Sequence, residues 1–558
     1  MQTTFWKSDW FTGLLIVILV LGLHSCTSLI DNLERTAYDA GVRGTDRDLP
    51  ENIAILAIDE PSIQNLGRWP WPRDIHAEMI QRLAQGGAKV VAYSPIFADA
   101  QLDPGLEYVN GLLEYYRDSG LAAQSAADTP PADGVQAATD DNVLPVASAP
   151  LTLNNLDAHE KLIGQLSGPL LNPLAESFAL IRRPIEQIET FLLQAQQDLN
   201  LDQKLVDSFA RAGNVVTPMW FLYGQPLGNP DQPLPNFVQK LAIQNIEDNV
   251  NASELGYGYV PLEANRAIPP LAALGEAALA IGNINNYPDV DGGIRTEPLV
   301  VDYYGALYPS YSLMIAAKSL NLDVGDITAR LGEGVRLGRL NIGTDGQLKM
   351  MTFFYKGEDG KPAFPIDSFF DVLTGKVPVE KYRGKIVVVG ATASGIGNLQ
   401  LTPINPSMSE AETLAHAVAS ILNEDFFISP GWTKWATFGV FVAVTLFVMF
   451  LLPNLGATFG ALISSALLIG LIATHYFMMT TQAVWIQLML PVALLVTGYL
   501  ILTTKRFLVT ERGKLHSDME SAESNKMLGL AFQGQGQLDM AFEKFRKCPK
   551  NDSIAEVL

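Results

Sequence analysis

Residues 435–504 read WATFGVFVAVTLFVMFLLPNLGATFGALISSALLIGLIATHYFMMTTQAVWIQLMLPVALLVTGYLILTT, seventy positions without Asp, Glu, Lys or Arg. A helix crosses a bilayer with about 20 apolar residues, because each residue rises ~1.5 Å and every backbone polar group must be satisfied internally. The block holds three such lengths, Trp435–Leu452, Gly456–Phe477 and Val484–Thr504. The dividers, Pro453-Asn454-Leu455-Gly456 and Thr480-Thr481-Gln482, leave room only for hairpins.

Lys505, Arg506, Arg512 and Lys514 follow the last span. Basic residues beside a span end favour the cytoplasmic side, so the tail 505–558 is expected inside. Counting three crossings back puts the residues before Trp435 outside. The apolar run Trp10–Ile30 then carries the chain out from a cytoplasmic N-terminus, residues 1–9, and Lys7 agrees with that direction. The expected protein is an α/β extracytoplasmic domain, residues 31–434, with four transmembrane helices and a short helical cytoplasmic tail.

The formal charge of −21, from 38 Lys and Arg against 59 Asp and Glu, argues against nucleic acid as a partner, since phosphate binding needs clustered cations. The two cysteines, Cys26 and Cys548, fall in the first span and the tail and cannot meet in one subunit. The outer domain is therefore expected to rest on a hydrophobic core without a disulfide. Leu23-His24-Ser25-Cys26 has the outline of a lipoprotein processing site, with His24 where a small residue is usual; an uncleaved signal anchor is the alternative and the preferred reading.

Taken in order, Asp31–Asp48 is polar, carries Arg35, Tyr38, Asp39 and Arg43, and predicts a helix leading away from the membrane. Asn52–Ile58 is an apolar run of strand length ending in Asp59 and Glu60, the pattern of a buried parallel strand. Leu66–Arg73 alternates prolines with Trp69 and Trp71 and predicts a stiff extended loop. A helix begins at Arg73 and ends at Gly86-Gly87, and Ala88–Tyr93 is a second strand. Within an insertion over about 98–200, Ala98 to about Asn154 has the composition of an acidic, partly disordered segment, and Leu174–Leu199 returns to helical periodicity that Pro184 should kink or split. The core resumes with a helix Asp202–Ala212 and a short strand Val215–Pro218. Ile294–Tyr303 alternates as a strand, Ser310–Leu320 has helical spacing, and Lys385–Gly390 is a strand entering the glycine loop Gly390–Gly397. A helix from about Glu410 to Leu422 leads back to the membrane.

Together these residues resemble the type-two CHASE domain, a sensory module of bacterial membrane receptors. The resemblance covers most of Asn52–Asn423. It rests on Ala57-Ile58-Asp59-Glu60, Gly67–Arg73, Gly87–Ala92, Gly282–Arg295, Phe364-Pro365 and Gly384–Ala393. It implies one span before the domain and three after it, as hydropathy also does. Tyr93-Ser94-Pro95 departs from the family, which commonly has an acidic residue there. In the tail, Leu528, Gly529, Phe532, Ala541 and Phe545 resemble a tetratricopeptide repeat, with a helix pair over 522–548. One repeat buries too little on its own, and Leu558 falls where a second would begin, which implies a longer relative with a cytoplasmic output.

The candidate ligand-binding residues are Asp59, Glu60, Arg68, Trp69, Trp71, Arg73, Asp289, Asp291, Arg295 and Thr392. Asp59 and Glu60 stand at a strand end, where α/β sheets bind ligands, although such acids also cap the next element. Arg68, Trp69, Trp71 and Arg73 suit a carboxylate or aromatic ligand; the competing reading is a packed loop with Trp69 as its anchor and Arg73 paired to Asp59 or Asp74. Asp289 and Asp291, with Asn285 and Asn286, offer oxygens of the kind calcium takes, but no EF-type loop is complete and a structural turn is preferred. The loop at Thr392 lacks the Lys and Ser or Thr of a P-loop, which excludes nucleotide hydrolysis there and leaves anion binding or close packing. His475, alone in the third span, reads as interfacial rather than as a proton relay.

No catalytic residues, metal or cofactor are expected. The leading expectation is a sensor in the bacterial cytoplasmic membrane, working as a dimer if it signals as related receptors do. It would detect an extracytoplasmic ligand and relay the signal to a cytoplasmic partner. The alternatives are the sensory part of a longer serine/threonine kinase or cyclase, and a membrane scaffold that recruits a partner through its tail.

Overall fold

A computed structural model describes residues 8–548 apart from residues 102, 119–186, 231, 257 and 358–360. Lys7, most of the acidic insertion and the kink expected at Pro184 lie outside the described residues. At the edges of the insertion, Pro104–Asp118 and residues 187–199 are helices.

Among the described residues, four helices are long and apolar enough to cross a membrane: Asp9–Cys26, Gly431–Asn454, Ala457–Gln482 and the head of Met489–Gly534. The first, second and fourth share a core of Ile16, Val17 and Val20, Val444, Phe447 and Val448, and Leu494, Leu495 and Leu502. Small residues let backbones approach: a Cβ at Gly13 would press on Met449 and one at Gly498 on Val448.

The spans differ from the hydropathy reading at their ends: the first stops at Cys26, with Leu29 and Ile30 in the next helix, and the second runs from Gly431 to Asn454. The third runs on through Thr480–Gln482, where the hydroxyls of Thr480 and Thr481 are satisfied within the helix by donating to the carbonyls of Tyr476 and Phe477 at 2.9 and 2.7 Å. The fourth helix begins at Met489, not Val484. Residues 484–488 instead pair with the α/β body, the Ile428 amide donating to Ala483 O and the Trp485 amide to Ile428 O, both at 2.9 Å. At its other end this helix continues unbroken to Gly534, and Leu538–Phe545 folds back on it with Ala541 and Phe545 buried and Phe545 against Gly529.

The α/β body is built on parallel strands in the order Ile366–Ser368, Ile53–Ile58, Ile386–Ala391, Val90–Tyr93, Val215–Tyr223, Ala280–Asn283. The central ones are apolar at every position because helices cover both faces. Ala54, Leu56, Ile58, Val91, Val387 and Val389 face Met79, Ile80, Leu83, Leu205 and Phe209 of helices Arg73–Gln85 and Leu201–Ala212. Ile53, Ile55, Val90, Ala92, Ile386 and Val388 face helices Tyr311–Ser319 and Glu410–Asn423.

Val215–Tyr223 is nine residues long, not the short strand expected, and it changes sheets. Its first part pairs with Val90–Tyr93 and Ala280–Asn283, then Trp220–Tyr223 runs antiparallel to Leu262–Ile268. The alternating segment 294–303 is two strands, Thr296–Pro298 and Val300–Tyr303, that join different sheets. The stalk helix Leu29–Gly44 joins the first span to this body.

Candidate functional site

The loops at the carboxyl ends of the strands leave in opposite directions. After Ile53–Ile58 and Val90–Tyr93 the chain turns to helices on one face; after Ile386–Ala391 it crosses to Glu410–Asn423 on the other. Diverging loops open a crevice, the usual ligand position in an open α/β sheet. Here it is a cavity of about 350 Å³. Trp69 and Arg73 line it from one side, Ser94–Phe97 and Trp220 from the sheet, and Gly390, Gly397 and Glu410 from the other side. Gly390 is required by the close approach of the two elements, since a Cβ there would sit 2.8 Å from that of Ala411.

The walls are held by packing. Trp71 is fully buried, its indole donating to Gly67 O at 2.9 Å, and it meets Trp69 edge-on at 5.1 Å. His76 is buried between Trp69, Phe97 and Tyr93 and hydrogen-bonds the Tyr93 hydroxyl. Burial, with the charge of Arg73 adding to it, pushes the His76 pKa down to about 3, so the ring is neutral. Arg73 bonds Asp202 through Nε at 3.1 Å, donates to Asp99 O at 2.9 Å, and lies 4.3 Å over the Phe97 ring. Glu410 makes no hydrogen bond or ion pair among the described residues, and burial raises its pKa.

A second cluster joins the body to the stalk. Arg295, buried, binds Asp39 of the stalk helix through Nε and Nη2 at 2.8 and 2.9 Å. Its Nη1 and Nη2 also meet the two oxygens of Asp291, each at 2.9 Å, and Nη1 reaches Asp289 at 2.8 Å. Burial works against the Asp291 charge, but the bonds from Arg295 and the Gly293 amide hold its pKa below the usual carboxylate value. Deeper along the stalk, Glu34 accepts from the Trp485 indole at 3.1 Å and from the Met489 amide at 2.9 Å, capping the fourth helix. Tyr38 packs edge-on against both Phe427 and Trp485.

The CHASE2 domain family matches residues 12–452, about four fifths of the chain. The chain belongs to that family. CHASE2 is a sensory domain family, and the match spans the α/β body, the stalk and the helices on either side of it. No curated protein and no solved structure matches.

The CHASE2 body gathers only two of the ten residues singled out from sequence, Trp69 and Arg73, at the cleft. Arg73 pairs with Asp202 rather than with Asp59 or Asp74. Asp59 caps helix Glu60–Leu66, accepting from the Ser62 amide and hydroxyl and from Ser368. Glu60 accepts from the Ser394 amide at 2.9 Å and Arg68 is exposed. Trp71 is an internal anchor. The Thr392 amide donates to Ile58 O, holding the glycine loop to the neighbouring strand. Asp289, Asp291 and Arg295 belong to the stalk cluster, where a guanidinium occupies the space between carboxylates that a cation would take. His475 is buried, its Nδ1 2.9 Å from Ile486 O.

Sequence reasoning passed over Glu410, Trp220 and Asp39. Glu410 had a signal, because it opens the helix reached from the last core strand, next to the capping box of Ser409 and Glu412. Asp39 had none, since its partner lies 256 positions away.

Proposed function

We propose that the protein is a sensor of the bacterial cytoplasmic membrane whose CHASE2 body lies outside the cell, takes a small ligand in the switch-point cleft, and relays its occupancy through the stalk to the spans. The observation that carries this reading is the Arg295 cluster. One side chain of the body holds the stalk by two charge-assisted bonds, which supports a path by which a rearrangement of the body would shift the stalk and, through it, the first span. The strap at 483–488 and its Glu34 cap offer a second route to the third and fourth spans. In this reading the chain senses rather than catalyses. Its tail hairpin, with Phe545 seated on Gly529, is where a cytoplasmic partner or a joined kinase or cyclase would read the signal. A dimer would let paired spans shift against one another.

The test is a thermal-shift screen of small metabolites on the full protein in lipid nanodiscs. A stabilising compound whose effect disappears in Ile396→Trp, which fills the cleft, supports the reading. Stabilisation that survives that substitution places the binding site elsewhere and ends it.

A further inference from the structure

The cleft is charged in one sense only. Its single cationic wall residue, Arg73, is already neutralised by Asp202 at 3.1 Å and is engaged with Asp99 O and the Phe97 face. Its carboxylate, Glu410, has no partner among the described residues. Behind it stands a second half-buried carboxylate, Glu297, bonded by Ser312 at 2.6 Å and close enough to Glu410 for their charges to repel. A carboxylate held in such surroundings favours a cation above it, and bonds to an ionised partner are the strong ones. The remaining walls are aromatic. Trp69 is fixed by Trp71 and His76, while Trp220 is 41% exposed, the far end of the strand that changes sheets. Indole faces attract alkylammonium groups, and the attraction grows as water is excluded.

We propose that the cleft binds a small organic ammonium ion, with Glu410 as its counter-ion and the indoles of Trp69 and Trp220 as its walls. The assignment rests on the cleft being the sensory site and names what it senses. It replaces the carboxylate ligand that the arginines alone suggest, because the guanidinium of Arg73 is taken. A metal ion is a poor occupant of the same space, since the described residues bring together no group of three metal ligands there or elsewhere.

The experiment is equilibrium binding of tetramethylammonium, choline and putrescine, as chlorides, to the full protein in nanodiscs of uncharged lipid, followed by tryptophan fluorescence, with sodium acetate as the anionic probe. At least one ammonium probe is expected to saturate, and Glu410→Gln to weaken it by about tenfold or more while melting no earlier than the parent. Should Glu410→Gln melt early, Trp220→Ala, which removes an exposed wall, carries the same expectation. Three ammonium probes that fail to saturate, or that bind Glu410→Gln and Trp220→Ala as tightly as the parent, overturn the assignment. Acetate binding that is lost in Arg73→Ala overturns it too, yet leaves the cleft as the sensory site; that reading falls only on the Ile396→Trp result.

Discussion

Glu297 shows how a single half-buried side chain sets a pH dependence. Burial, reinforced by the charge of Glu410 and opposed by the bond from Ser312, raises its pKa to about 7 from an ordinary 4.5. Its contribution to stability is therefore fully present below pH 4.5 and is lost as pH rises through about 7. Glu297→Gln, which can still accept from Ser312, is expected to remove that loss and to be more stable than the parent at pH 8 by on the order of 3 kcal/mol. Melting curves between pH 5 and 8 check this, and parallel curves for the two proteins would contradict it. His76 and His416 act with the opposite sign. Both are held neutral by burial with pKa values near 3, so their contribution is lost as pH falls below 6.5. Trp71 is the other decisive residue. Trp71→Ala should cost about 3–5 kcal/mol, read as a lowered melting temperature, because it empties a fully buried site beneath the cleft wall. The proline-spaced loop around it was legible in sequence, but the packed reading made Trp69 its anchor, whereas Trp71 is the buried one and Trp69 lines the cleft. The pairing of Arg73 with Asp202 was not legible, because it depends on where the helix Leu201–Ala212 lands.

At the scale of elements, the stalk is the joint. Its buried face meets the fourth and third spans through Glu34 and Gly41 and the core of the body through Tyr38 and Val42, and a Cβ at Gly41 would meet the Met479 side chain at 2.9 Å. Gly41→Val is accordingly expected to push the stalk off the third span and to expose Leu29–Gly44 to protease in nanodiscs. Digestion at the parent's rate would contradict that contact. Arg295→Ala leaves three carboxylates facing one another and should destabilise by about 3–5 kcal/mol. Combined with Asp39→Asn in a double-mutant cycle it should show a coupling of about 1–3 kcal/mol, whereas additive effects would mean that the two do not act together. Sequence periodicity found the stalk helix, the central strands and the helices flanking them, since each is one continuous pattern. It misjudged elements whose limits depend on distant partners. The strand Val215–Tyr223 is extended by Leu262–Ile268, and 484–488 is drawn out of the last span by Ile428, and neither partner can be read from the residues themselves.

For the whole molecule, the described residues hold one helix long and apolar enough to cross a membrane before the body and three after it, as hydropathy predicts. The proposed orientation, with the tail inside, rests on Lys505 and Arg506 at the far end of the fourth span. Alkaline phosphatase fused near Gly292 is expected to be active and fused after Leu515 to be inactive; activity at the second site would reverse the orientation. The central claim is that an occupied cleft moves the stalk. Its most direct test is hydrogen exchange of the full protein in nanodiscs, with and without the ligand that the cleft screen yields. The account predicts protection around Trp69–Arg73 and Trp220 together with altered exchange in Leu29–Gly44 and in residues 483–488. Protection confined to the cleft, with the stalk and the strap exchanging as before, would contradict it.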